Sequence, residues 1–130
     1  MKYGTLPRDS SQVEISVYAK DCPSRQILDR IGDTWSVLIV VTLAQGPQRY
    51  TELAKRIEGV SPKMLTQTLR GLERDGLISR TVHAVVPPRV DYELTVLGRS
   101  LLGLVRALET WAQTHMDDVL AARVSYDARV

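Results

Sequence analysis

The chain has 130 residues, 44% of them hydrophobic and 25% charged, which is the size and balance of one soluble globular domain and leaves no room for a second. Folding at this length buries roughly two-thirds of the surface that the extended chain exposes, so a core forms without staples; the single cysteine, Cys22, can neither close an internal disulfide nor build a metal cage with the only two histidines, His83 and His115. Seventeen basic against fifteen acidic residues give a net charge of +2, too small by itself to name a partner.

Residues 1–10 carry charge and Pro7 but no apolar stretch of the kind a secretion signal needs, and the longest apolar run, residues 37–41, is far short of the ~20 residues that span a bilayer. A reducing, cytoplasmic location without a membrane partner is the expectation. Val13, Ile15 and Val17 alternate like an edge strand, although their polar neighbours also permit a helix. Residues 1–21 are read as an N-terminal extension with a packing role, across a dimer.

After Asp21-Cys22-Pro23, Ile27, Leu28 and Ile31 have helical spacing up to Gly32 and predict a first core helix. Asp33 or Thr34 can cap the next, whose Trp35, Leu38, Ile39, Thr42 and Leu43 recur at three and four until Gly46-Pro47 stops it. Thr51 is placed as N-cap of a short helix through Leu53, Ala54 and Ile57, with Gly59 suited to a left-handed turn. Ser61-Pro62 then opens a helix to about Asp75-Gly76, cap followed by proline at the first helical position. Two helices at this separation have the spacing of a helix-turn-helix.

From Leu77 and Ile78 through Val85 and Val86, and again from Val90 through Tyr92 to Leu94, apolar residues mark a β-hairpin with a stiff Pro87-Pro88 tip carrying Arg89. Thr95 caps a long helix whose stripe, Leu97, Leu101, Leu104, Leu108 and Trp111, continues over more than three turns, with Leu102, Val105 and Leu120 on another side. One small domain cannot cover both sides, so a homodimer is expected, with Leu101, Leu104, Val105, Leu108 and Trp111 in its interface. The organisation is thus an extension (1–21), a helix-turn-helix unit with its hairpin (22–94) and a C-terminal dimerisation helix and tail (95–130).

Charge is unevenly spread. Residues 46–90 hold eight basic and four acidic side chains, while the rest of the chain has a small acidic excess. On a helical wheel, Lys63, Thr66, Gln67, Arg70 and Arg74 fall within about 100° of one another, with Leu65, Leu69 and Leu72 opposite. Burying the leucines turns outward a stripe able to read base edges: Lys and Arg for guanine or phosphate, Gln for adenine, Thr for the thymine methyl. Arg49, Thr51 and Ser61 sit where helix N-termini favour phosphate, and Arg74 and Arg89 add positioning contacts. Cys22 falls at a helix start, where the dipole with Lys20 and Arg25 favours a reactive thiolate and Asp21 opposes it. No nucleophile motif involves His83 or His115, the adjacent Asp117 and Asp118 do not face one metal site, and no phosphate-cradling glycine loop is present. Neither enzyme activity nor a cofactor is expected.

Together, Cys22-Pro23, Ile31-Gly32 with Trp35, Gly46-Pro47 with Arg49-Tyr50, Ser61-Pro62-Lys63-Met64-Leu65-Thr66-Gln67, Leu72-Glu73-Arg74-Asp75-Gly76-Leu77 and Val86-Pro87-Pro88-Arg89-Val90-Asp91-Tyr92 resemble the HxlR-type branch of winged helix-turn-helix transcriptional regulators, over residues 22–111. The resemblance implies a mainly α fold with a β-hairpin wing, a homodimer through terminal helices, and the Ser61 helix in the major groove of double-stranded DNA. It also implies a regulator, in the first instance a repressor, on an inverted-repeat operator. Some relatives resemble sensors of oxidants or electrophiles through a cysteine at the Cys22 position while many others simply bury it, and a small effector in the dimer crevice is the other form of control. Tyr50 stands where phenylalanine is usual, and Gly71 where a larger residue is frequent; a glycine there softens the helix by ~1 kcal/mol relative to alanine. The alternative is a winged-helix adaptor that uses the same surfaces to bind an acidic protein.

Overall fold

A computed structural model describes residues 21–129; the segment containing Val13, Ile15 and Val17 lies outside the described residues. Helix α1 (Pro23–Gly32) begins with Cys22 at the N-cap and proline in its first turn. Its apolar residues do not enter the core: Ile27 and Leu28 are 39% and 43% exposed, and no α1 residue is buried. Periodicity identifies an apolar face but not the surface it meets, and here the core is closed by other elements.

Helix α2 (Thr34–Leu43) is capped by Asp33, whose carboxylate accepts from the Ser36 amide at 3.1 Å and the Ser36 hydroxyl at 3.0 Å, so the one buried serine of this helix is satisfied. The buried face is Ser36, Ile39, Val40 and Leu43; Leu38, expected inside, is exposed, the inward stripe being displaced by one position. Gly46 then adopts φ 137°, open to glycine and strained for other residues.

A two-residue strand β1 (Gln48–Arg49) follows, too short to leave an alternation in the sequence. It feeds directly into α3 (Tyr50–Arg56), so Arg49, not Thr51, is the N-cap; the Arg49 amide donates to Glu52 Oε1 at 2.9 Å and Thr51 becomes the second helical residue. Strand pairing determines the point at which the backbone leaves the extended state, and Thr51 arrives two residues too late. Across a turn at Gly59, helix α4 (Pro62–Arg74) starts with the Ser61 hydroxyl accepting from the Met64 amide at 3.1 Å. It ends in paired bonds from the Gly76 amide to Glu73 and from the Leu77 amide to Leu72, the glycine at φ 78°. Leu65, Leu69 and Leu72 are buried as expected, with Thr68 beside them donating to the Met64 carbonyl.

Strands β2 (Ile78–His83) and β3 (Arg89–Leu94) form the wing, and β1 joins the other edge of β3 to give an antiparallel sheet of order β1-β3-β2. Pairing stops at His83 opposite Arg89, short of Val85 and Val86. Beyond that point the returning strand would have to use Pro88 and Pro87, which have no N–H to donate, and Val86 stands fully exposed.

Thr95 caps the following helix as expected, accepting from the Gly98 amide at 3.0 Å, but the helix is not continuous. One turn, α5 (Val96–Arg99), is tied by the Thr95 hydroxyl to the Gly76 carbonyl at 2.6 Å, and after a turn at Ser100 and Leu101 the chain resumes as α6 (Leu102–Asp127). Side-chain spacing carries across such a break, which is why the sequence shows one stripe. Val105 of α6 is 2% exposed and belongs to the core of the chain with Ile39, Leu43, Leu53, Leu69 and Ile78, so it is not free to join the dimer interface expected of it. The molecule is mainly α with a small β wing: a winged helix-turn-helix.

Candidate nucleic-acid interface

Helices α3 and α4 are the two limbs of the helix-turn-helix, and the leucines on the inner side of α4 determine what its outer side presents. Lys63, Gln67, Arg70 and Arg74 are exposed along one face. Thr66, on the same face, is half-buried because its hydroxyl lies 3.4 Å from the Tyr50 hydroxyl, which itself donates to the Pro62 carbonyl at 3.3 Å. Tyr50 therefore ties the start of α3 to the first turns of α4, a bond that phenylalanine could not make. Ser61 uses its hydroxyl on the helix cap, so its part at this surface is to define where α4 begins.

Two clefts flank Tyr50. One, of about 490 Å³, separates Arg49, Tyr50 and Thr51 from wing residues 85–90. The other, of about 470 Å³, lies between α4 and the sheet and is lined by Thr66, Arg70, Glu73, Arg80, Val90 and Tyr92 among others. Tyr50 and Val90 border both. Through these clefts Arg70 of the α4 stripe, Arg49 at the mouth of α3 and the wing adjoin one another around Tyr50. Arg80 is a member of this surface that the sequence did not single out. It pairs opposite Tyr92 and lines the same cleft as Arg70, a placement that depends on strand register and leaves no local signal.

Arg89 differs from the expected wing-tip cation. It is the first residue of β3, and its Nε lies 3.4 Å from Asp91 Oδ1, while the other Asp91 oxygen meets His83 Nε2 at 2.9 Å. The tip itself, residues 84–88, is uncharged. Arg89 faces the same cleft as Arg49, with part of its charge balanced by Asp91. His83 is accordingly a half-buried partner of a carboxylate and not a free surface residue. His115 stacks on Trp111 with ring centroids 4.7 Å apart, and its Nδ1 lies 3.0 Å from the Trp111 carbonyl oxygen. No group of three potential metal-ligating side chains occurs among the described residues.

Cys22 takes the expected place at the start of α1 but is 7% exposed. On α6, Leu104, Leu108 and Trp111 are about half exposed, and Leu101 packs partly on the core. No helix among the described residues is long and apolar enough to cross a membrane.

The HxlR-like helix-turn-helix family matches residues 30–119, which includes the whole of this surface. The chain belongs to that family. It is 44% identical over 110 residues to the HTH-type transcriptional regulator YtfH of Escherichia coli, covering 85% of this chain and 87% of that one. Among solved structures, the transcriptional regulator YtfH from Salmonella typhimurium superposes with a TM-score of 0.78 at 43% identity, covering 85% of this chain and 98% of that one. The redox regulator HypR in its reduced form gives 0.71 at 33% identity, covering 76% and 98%. The HxlR-like chain described here is therefore a transcriptional regulator of helix-turn-helix type, from a family of DNA-binding regulators and not of enzymes.

Proposed function

We propose that the chain acts in the cytoplasm as a homodimeric repressor that places α4 of each subunit in successive major grooves of an inverted-repeat operator, about 34 Å apart. The observation that carries the reading is the division of α4: Leu65, Leu69 and Leu72 are buried while Lys63, Gln67, Arg70 and Arg74 stand clear of the protein. Lys63, Thr66, Gln67 and Arg70 contact bases or the phosphates beside them; Arg49, Thr51, Ser61, Arg74 and Arg89 position the subunit on the backbone. Repression follows from occupancy, since a dimer covering two grooves excludes other proteins from the same DNA. Selection of genomic fragments by the purified protein supplies the operator. Arg70→Ala then weakens binding to it about 5-fold or more, as loss of one bidentate contact worth ~1–3 kcal/mol requires; an unchanged dissociation constant would remove Arg70 from the interface.

The dimer is assigned to residues 95–130, through Leu101, Leu104, Leu108 and Trp111, because half-exposed large apolar side chains along one helix need a partner surface. Leu108→Glu should give a monomer by sedimentation at concentrations where the unaltered chain is dimeric; a dimer retained by that variant places the interface elsewhere.

Control by oxidants or electrophiles at Cys22 is the regulatory half of the reading, and the relative HypR, whose structures are of reduced and oxidised forms, supports it. With one cysteine per chain, oxidation joins two thiols, either between subunits or with a small thiol, and passes two electrons and two protons to the oxidant. Burial of Cys22 means that the start of α1 must open first, so the reaction is slower than at an exposed thiol. Diamide treatment should lower operator affinity in the unaltered chain and leave Cys22→Ser unaffected; equal responses exclude Cys22.

A further inference from the structure

Of all α4 residues, Gly71 has the least apparent reason to be where it is: it lies in mid-helix, in neither a turn nor a left-handed conformation. Its surroundings supply the reason. A Cβ built on Gly71 would stand 2.5 Å from Cζ and 2.6 Å from Nη2 of Arg30, so the flat guanidinium of Arg30 lies directly on the bare helix surface. The same group donates from Nε to Asp75 Oδ2 at 2.9 Å, a contact in which both side chains are largely shielded from solvent. Asp75 is the C-cap of α4, and its amide bonds back to the Gly71 carbonyl. A carboxylate at that position adds to the negative end of the helix dipole, and Arg30 brings a cation to it from the last turn of α1. Helix α1 buries none of its own side chains, and this contact is a polar attachment between it and the recognition helix.

We infer that Arg30 is a positioning residue for DNA recognition: stacked on Gly71 and paired with Asp75, it holds the C-terminal turn of α4 in the orientation that aligns Arg70 and Arg74 with the groove. The inference rests on α4 being the reading helix. Its geometry is specific to arginine over glycine. A lysine has no plane to lay on the helix, and an alanine at 71 forces the guanidinium to shift off the helix surface without altering either charged residue. The two effects of Gly71→Ala therefore have opposite signs, because helix propensity favours alanine while loss of the clamp disfavours operator binding.

The test uses the full chain with two probes, a genomic fragment recovered by the unaltered protein and a random-sequence duplex of equal length. Arg30→Met, Gly71→Ala, the double variant and Arg70→Ala are compared for affinity, salt slope and melting temperature. Arg30→Met and Gly71→Ala should each weaken binding to the recovered fragment about tenfold, the loss expected when supporting residues let a site drift from its working geometry. Affinity for the random duplex and the salt slope should stay at the unaltered value, and the double variant should be no worse than either single one. Gly71→Ala should melt no lower than the unaltered chain. An unchanged affinity of Arg30→Met for the recovered fragment overturns the inference. So does an equal loss on both duplexes with a salt slope reduced by about one, which would make Arg30 a phosphate contact. If Arg70→Ala is also without effect, the reading of α4 itself fails; if Arg70→Ala weakens binding and Arg30→Met does not, only the clamp falls.

Discussion

Between about 50 and 200 mM monovalent salt, the affinity of the chain for its operator should fall ~10³–10⁵-fold, with a log–log slope near −0.9 for each phosphate neutralised. The magnitude follows from counting cations on the surface. Arg49, Lys63, Arg70, Arg74 and Arg80 are exposed along the two clefts and the α4 face, and the proposed dimer would present each of them twice. Some read bases instead of phosphate, and Arg89 is partly balanced by Asp91, so roughly 6–10 phosphate contacts is the expectation for the assembly. The adaptor reading gives a different curve. A protein partner held by apolar contact with a rim of ion pairs loses far less over the same range, since no condensed counterion layer is released. A titration that stays flat is incompatible with the groove-reading arrangement, whatever fragments the protein retains.

What could be read from the sequence follows from the range of the interactions involved. The outward face of α4 was legible because its determinants are local: leucines at three- and four-residue spacing fix which side is buried, and Ser61-Pro62 and Gly76 mark both ends. The wing was legible for the same reason up to its tip. Features that depend on a distant partner were not. Strand β1 is two residues long and exists only because β3 lies beside it, and with it came the shift of the α3 cap from Thr51 to Arg49. Leu38, Ile27 and Leu28 have impeccable helical spacing, yet the inward direction is set by elements far along the chain. Val105 illustrates the converse, an apolar residue assigned to an interface that the subunit buries for itself. At the site, Tyr50 was noted as a departure from phenylalanine without its hydroxyl's partners, Pro62 and Thr66. Gly71 was noted only as a weak point in the helix, because the guanidinium resting on it comes from a residue forty-one positions earlier.

Gly98→Ala should destabilise the chain by ~3 kcal/mol or more, a large part of the ~5–15 kcal/mol that holds a typical domain together. The glycine is buried where the single turn of α5 crosses the backbone leaving α4. A Cβ there would overlap the Leu77 carbonyl oxygen, with the Leu77 carbonyl carbon at 3.0 Å and Leu94 Cδ2 at 3.1 Å. The obstructing carbonyl cannot swing aside as a side chain would, for it accepts the Thr95 amide at 3.1 Å, and Thr95 in turn caps α5 and bonds to Gly76. Relief therefore requires α5 to lift from the base of the wing, separating the helix that leads into α6 from the sheet that carries Arg80 and Arg89. For a domain of this size the melting temperature should drop by about 10 °C or more, and operator binding should weaken with it through the displaced wing. Gly103→Ala is the matched control: no heavy atom lies within 4 Å of a Cβ at that position, so helix propensity alone operates and the variant should melt at or a few degrees above the unaltered chain. Two alanines that behave alike would show that close backbone approach at Gly98 is not what joins α5 to the wing.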